Sequence, residues 1–251
     1  MVSIDTVYQR VQALANKEQR GYITPIEFNL FANQAQMDIF EQYFYDRSQF
    51  GRLKGNDTIY ADPIDILEEK IEIFHKSQNL TNTVGVNNVT INNKNIFSLS
   101  DLNSEYYRLA SVIYSPSPAS DAEYNRSSAV TVEKVTHSKF SMARNSSLTM
   151  PTLQYPIYYL KDNRLILNPK EINSIDINYI KKPEKVEWNG YNVGGTFAYN
   201  STDSTDFELH VSEETKLVIK ILQLAGIAMK DPSLYQIGAA EDIKNIQQEK
   251  Q

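Results

Sequence analysis

The residues whose types could do chemistry here are three histidines and one oxygen-rich run. His75, His137 and His210 lie far apart in sequence, and none sits in the HxH or HExxH spacing that puts two imidazoles on one face. Scattered surface histidines are the expected reading. The run NSTDSTDFE, 200–208, alternates side-chain oxygens as a calcium loop does, but it lacks the EF-hand glycine and the regular ligand order. There is no cysteine, which removes disulfides, thiol nucleophiles and Cys-ligated zinc. Glu68 and Glu69 precede Lys70 on a helical pattern and read as a solvated face. GYNVGG, 190–195, has glycines but no helix after it, so a turn is expected rather than a phosphate cradle. IKKPEK, 180–185, reads as a basic strand end. Trp188, the sole tryptophan, reads equally as a core residue or as an exposed contact. No catalytic residue, cofactor site or metal site is predicted.

Composition limits the remaining classes. Hydrophobic residues make up 41% of the 251, enough for a sizeable core. The net charge of −6 argues against a protein whose main task is gripping nucleic-acid phosphates. The start, MVSIDTVYQR, lacks the basic stretch and apolar core of a signal peptide, which predicts a soluble protein made inside the cell. The most apolar run, LVIKILQLAGIAM, is too short to span a bilayer and contains Lys220.

The elements that must position these residues follow from periodicity and caps. Ile4, Val7, Val11 and Leu14 predict a first helix over 4–16, with Ser3 or Asp5 as its cap. Gly21 suits a following turn. Thr24, Pro25 and Glu27 form a capping box with proline at the first helical position, and Ile23 with Phe28 a hydrophobic staple, so a second helix runs from 25 to about 48. A third begins at Asp62-Pro63 with the stripe Ile64, Leu67, Ile71, Phe74. After Ser77 the Asn- and Thr-rich composition favours strands and turns. Strands are predicted over 106–114 and 128–136, a short helix near 137, a hairpin over 155–169 turning at Asp162-Asn163, and a strand carrying Ile175, Ile177 and Tyr179 on one face. Ser212 is the expected cap of a largely buried helix with Leu217, Val218, Ile221, Leu222 and Ala225, and a polar helix ends the chain. The fold class is therefore α+β. A helical bundle from 1–78 and 207–251 carries an inserted all-β domain, sandwich or barrel-like, over 79–206.

The second helix is apolar on two sides. At 100° per residue, Ile26, Leu30, Met37, Phe40 and Phe44 lie on one side and Phe28, Phe31, Ile39 and Tyr43 on the other. Polar stripes run between them, Asn29, Asn33 and Gln36 on one flank. One apolar side packs in the bundle. The other is either covered by the chain's own helices or meets a neighbouring subunit, and all nine residues are candidates for that interface.

The stretch NKEQRGYITPIEFNLFANQAQMDIFEQYF resembles the N-terminal region of virion structural proteins of crAss-like phages and related tailed phages. It is similar to the ring, or head-to-tail connector, proteins beneath the portal. YPIYYLKDNRLILNPKEINSIDINYIKKP resembles the hairpin-and-strand pattern ending in Tyr-x-x-x-Pro of phage neck and adaptor proteins, a plan shared with tail tubular protein A. The resemblance implies a non-enzymatic subunit of a ring, a dodecamer in the family. That ring contacts the portal protein and other neck or tail proteins, and DNA passes through it without specific binding. It implies a place in the virion and no membrane partner. A second expectation, from the Tyr-rich middle and an exposed Trp188, is a tail-associated carbohydrate- or receptor-binding module. A third is an enzyme whose site assembles from distant carboxylates and histidines.

Overall fold

A computed structural model describes residues 1–17, 23–50, 63–81, 95–115, 129–193 and 196–228. The expected Gly21 turn, Asp62, the expected loops following 50 and 115, part of the Asn-rich stretch, Gly194, Gly195 and the expected C-terminal polar helix lie outside them. The fold is α+β, with mainly antiparallel sheets and helices in one chain. It divides into two compact units, 1–73 with 183–251, and 74–182.

The first unit is built on helices α1 (Ile4–Lys17), α2 (Pro25–Phe50), α3 (Pro63–Glu72) and α5 (Glu214–Ala228). α2 starts where its capping box requires. The Thr24 N–H donates to Glu27 Oε2 at 3.0 Å, and Glu27 N–H donates to Thr24 Oγ1 at 3.3 Å. Ile23 and Phe28, the staple residues, are both buried. α5 packs on α1 and α2, and α3 packs on α2. Along α5, Leu217, Val218, Ile221 and Ala225 are buried, as its nearly continuous apolar surface demands. α1 departs from its expected stripe. Ile4, Val7, Val11 and Ala15 are inside, while Leu14 is exposed, because a 3.6-residue period rotates the seam from 14 to 15. The cap of α5 also differs. A 3-10 turn, Val211–Glu213, precedes it, and His210 Nδ1 accepts from the Ser212 N–H at 3.3 Å.

The segment after Pro183 belongs to this helical unit and not to the insertion, so the insertion is 74–182 rather than 79–206. Its backbone is held by side chains of α2. Asn29 and Asn33 each present an amide that pairs with a main-chain N–H and C=O as a neighbouring strand would. Asn29 Nδ2 donates to Trp188 O at 3.1 Å, and its Oδ1 accepts from Trp188 N–H at 2.8 Å. Asn33 does the same with Val186, at 2.8 and 3.0 Å. Gln36 Nε2 donates to Glu184 O at 2.8 Å, while its Oε1 accepts from Glu208 N–H at 3.2 Å. Four helical residues rise about 6.0 Å and two extended residues about 6.6 Å, so the 29/33 spacing matches the 188/186 spacing. A hairpin follows, β9 (Gly190–Val193) against β10 (Thr196–Tyr199).

The second unit is a two-sheet sandwich with a helix on its outer face. One sheet has the order β1 (His75–Thr81), β8 (Ser174–Lys181), β3 (Tyr106–Tyr114), β4 (Val130–Thr131). The other has the order β2 (Asn95–Ser98), β7 (Arg164–Asn168), β6 (Ile157–Lys161), β5 (Glu133–Lys134). The expected strand over 128–136 is two short strands, one in each sheet. Val132, buried between them, is where the chain crosses over, its N–H donating to Val112 O at 2.8 Å before Glu133 N–H reaches Pro156 O at 3.0 Å. β6 and β7 turn at Asp162-Asn163, with φ of 49° and 58°, the positive angles that a two-residue hairpin loop needs and that Asp and Asn tolerate. Side chains alternate by strand parity. Phe97, Tyr158, Leu165 and Leu167 join Ile175, Ile177 and Tyr179 of β8 in the inter-sheet core. Ile96, Ile157, Tyr159 and Ile166 point the other way, where α4 (His137–Asn145) covers them with Phe140. β1 begins four residues before the expected boundary. It is a polar edge strand with only Leu80 fully inside, held by its ladder to β8.

Candidate functional site

The chemistry-bearing residues do not assemble. His75 is exposed on β1, His137 opens α4 with its ring edge-on to Tyr159 at 5.1 Å, and His210 caps the 3-10 turn. Among the described residues no group of three His, Asp or Glu is placed to hold a metal ion. The oxygens of 200–208 are already committed within the chain. Asn200 Oδ1 accepts from Thr202 N–H at 3.0 Å, Asn200 Nδ2 donates to Asp203 Oδ2 at 2.7 Å, and Ser204 Oγ donates to Asn200 O at 2.6 Å. Asp206 Oδ1 accepts from Ile4 N–H at 2.8 Å, a carboxylate at the positive end of α1. This run is a structural loop that closes the helical unit.

Trp188 is in the core, which decides between the two readings and removes the exposed aromatic of the carbohydrate-binding expectation. It is 4% exposed, its ring lies 4.3 Å from that of Tyr8, and its Nε1–H donates to Asp5 Oδ1 at 3.0 Å. A tryptophan so enclosed presents no face for a sugar to stack on. Asp5 is thereby a partner for the indole rather than a helix cap. The IKKPEK cluster is likewise structural: Lys181 is buried in β8, and Lys182 Nζ lies 3.4 Å from Glu105 Oε1. Lys70 and Glu213, on opposite sides of the helical unit's sequence, form a 2.6 Å ion pair with little exposure of either side chain.

The nine candidate interface residues of α2 separate. Phe28, Ile39 and Tyr43 are buried inside the chain, so that side is intramolecular core, and Phe31 at its border is half-buried. The other side splits along its length. Phe40 is buried and packs edge-on to Phe44 at 5.0 Å, in the half of α2 where Arg47 is tied to Glu68 of α3 at 2.7 Å. Phe44 and Met37 are half-buried. Toward the N-terminus the apolar side is open: Ile26 is 76% and Leu30 66% exposed. Burial therefore removes Phe28, Ile39, Phe40 and Tyr43 from the interface candidates and leaves Ile26 and Leu30 as its centre.

A second exposed apolar surface gave no periodic signal in the sequence. The connection from α4 to β6 carries Leu148, 93% exposed, and Tyr155, 77% exposed, with Met150 and Leu153 also outside. It lies in the SSLTMPTLQY stretch, where alternation with Ser, Thr and Pro conceals the apolar content. The signal available was the absence of any carboxylate from 135 to 161 beside these large side chains. No helix among the described residues is long and apolar enough to cross a membrane. No model of a known protein family matches this chain, and no curated protein matches it.

Proposed function

We propose that this chain is a non-enzymatic structural subunit of a tailed-phage neck, one copy of an oligomeric ring between portal and tail that encloses the DNA channel. The observation that carries the reading is the open N-terminal half of α2. A helix with a complete N-terminal capping box holds Ile26 and Leu30, the most exposed large apolar residues among the described helices of its unit, in water, and exposed apolar surface of that kind marks an interface. The resemblance of this same segment to ring proteins beneath the portal names the assembly. The acidic balance supports it, since a conduit for DNA must not hold phosphates. In this reading the subunit is made in the host cytoplasm and resides in the virion neck, with the portal protein and tail components as partners.

Electron microscopy of the virion tests the proposal, with a symmetric ring at the neck that accommodates this fold as the expected result. A virion proteome that lacks the chain rejects it.

A further inference from the structure

Two surfaces of this chain are exposed, apolar and opposite in charge. On α2, Ile26 and Leu30 stand one turn apart, with the exposed carboxylates Glu27 and Glu41 along the same flank. No Lys or Arg occurs in this helix before Arg47. The other surface is the end of α4 and the connection to β6, where Met142, Leu148, Met150, Leu153 and Tyr155 are exposed. Its charges are Lys134, Lys139 and Arg144, all exposed, against one exposed carboxylate, Glu133, whose N–H bonds Pro156 O. From 133 to 156, Lys134, Lys139 and Arg144 outweigh Glu133, so this stretch carries +2 of a chain whose net charge is −6, and the remainder carries −8.

The apolar side chains of the connection are held outward by fixed structure. Thr136 caps α4, Phe140 anchors it on Tyr159 with ring centroids 4.6 Å apart, and Tyr155 N–H closes a turn on Thr152 O at 3.1 Å. We infer that the α2 face of one copy is covered by the 142–155 surface of a second copy, in a head-to-tail contact. The two patches complement one another, apolar against apolar and an acidic flank against a net basic one. Pairing either patch with its own kind would bring like charges together, which disfavours that alternative. Two unlike patches on one chain make a heterologous contact, the kind that repeats into rings. The inference deepens the ring reading and rests on it for closure of the assembly, while the contact itself stands on the two patches.

Sedimentation velocity of the full chain tests it. The wild type is expected to self-associate, less so as salt is raised. Ile26→Asp with Leu30→Asp alters one face, and Leu148→Asp with Met150→Asp the other. All four positions are exposed, so folding is retained, as circular dichroism will verify. Each double variant alone is expected to associate about a hundredfold more weakly or worse. Mixed together, the two variants keep one intact face each and are expected to form a 1:1 heterodimer and nothing larger. A wild type that is monomeric at every reachable concentration overturns the inference, as do double variants that associate like the wild type, or mixed variants that stay apart. Adsorption to phosphatidylserine vesicles without self-association assigns the loop to a lipid surface and overturns it too. A neck ring seen in virions alongside mixed variants that stay apart retains the neck reading and discards this contact.

Discussion

Lys70 and Glu213 show what a single pair contributes. Their ammonium and carboxylate sit 2.6 Å apart with side chains 15% and 3% exposed, and Lys70 Nζ also lies 5.9 Å from the centre of the Tyr43 ring. Removing one partner leaves a charge in a poorly solvated site. Lys70→Met is expected to destabilise the protein by about 3 kcal/mol, and Lys70→Met with Glu213→Gln by clearly less, because the stranded carboxylate is gone. A double-mutant cycle by urea denaturation measures this. At the start of α2, Thr24→Ala should cost about 1 kcal/mol through the lost cap. Bonds from the Thr24 hydroxyl and N–H hold the Glu27 carboxyl below its ordinary value of 4.5. A depressed carboxylate stabilises the fold above its unfolded pKa, and that contribution disappears as pH falls through the lower folded value. Thermal melts of Glu27→Gln should therefore lie below the wild type at neutral pH and converge with it in acid below 4.5. Thr24 and Glu27 were legible in sequence because a capping box is local. The Lys70–Glu213 pair was not, since its partners are more than a hundred residues apart and Lys70 reads locally as part of a charged surface.

At the scale of elements, the decisive device is the amide ladder from α2 to the extended segment at 184–188. Asn33 satisfies both the N–H and the C=O of Val186, whose side chain is buried. Asn33→Ala strands two main-chain groups and should destabilise by about 2–3 kcal/mol. Asn33→Asp should also destabilise, because it keeps the acceptor for Val186 N–H but sets a second acceptor against Val186 O. Chemical denaturation of both variants checks the order against Asn29→Ala. Helix boundaries, the β6–β7 turn and the inward face of β8 were readable from period and turn chemistry. The ladder was not. Asn29, Asn33 and Gln36 look like a solvent-facing stripe until an extended chain with few apolar residues of its own is laid against them.

For the whole molecule, the insertion has a geometric signature. β1 and β8 are antiparallel neighbours, His75 opposite Ile180, and Lys181 N–H donates to Phe74 O at 2.9 Å. The two ends of 74–182 therefore meet, as they must in a domain inserted into another. With an inter-sheet core of its own, the fragment 74–182 should fold in isolation and unfold cooperatively. Proton NMR dispersion and a sigmoidal urea transition are the expected results. A fragment that shows neither would mean the sandwich depends on the helical unit.

The sequence by itself determined where α2 begins, that β6 and β7 turn at Asp162-Asn163, and that the class is α+β. Those are short-range properties, set by periodicity, caps and turn angles within a few residues. Only the tertiary structure decided that Trp188 is core, that 183–206 belongs with the helices, and that α2 buries one apolar side and half of the other. Each depends on a partner distant in sequence: Asp5 and Tyr8 for Trp188, the α2 amides for the extended segment, the packing of α3 near the C-terminal half of α2. Ile26 and Leu30 remain exposed because, among the described residues, no element packs over their side of that half of the helix. Burial is a property of what arrives from elsewhere in the chain, and period alone cannot state it.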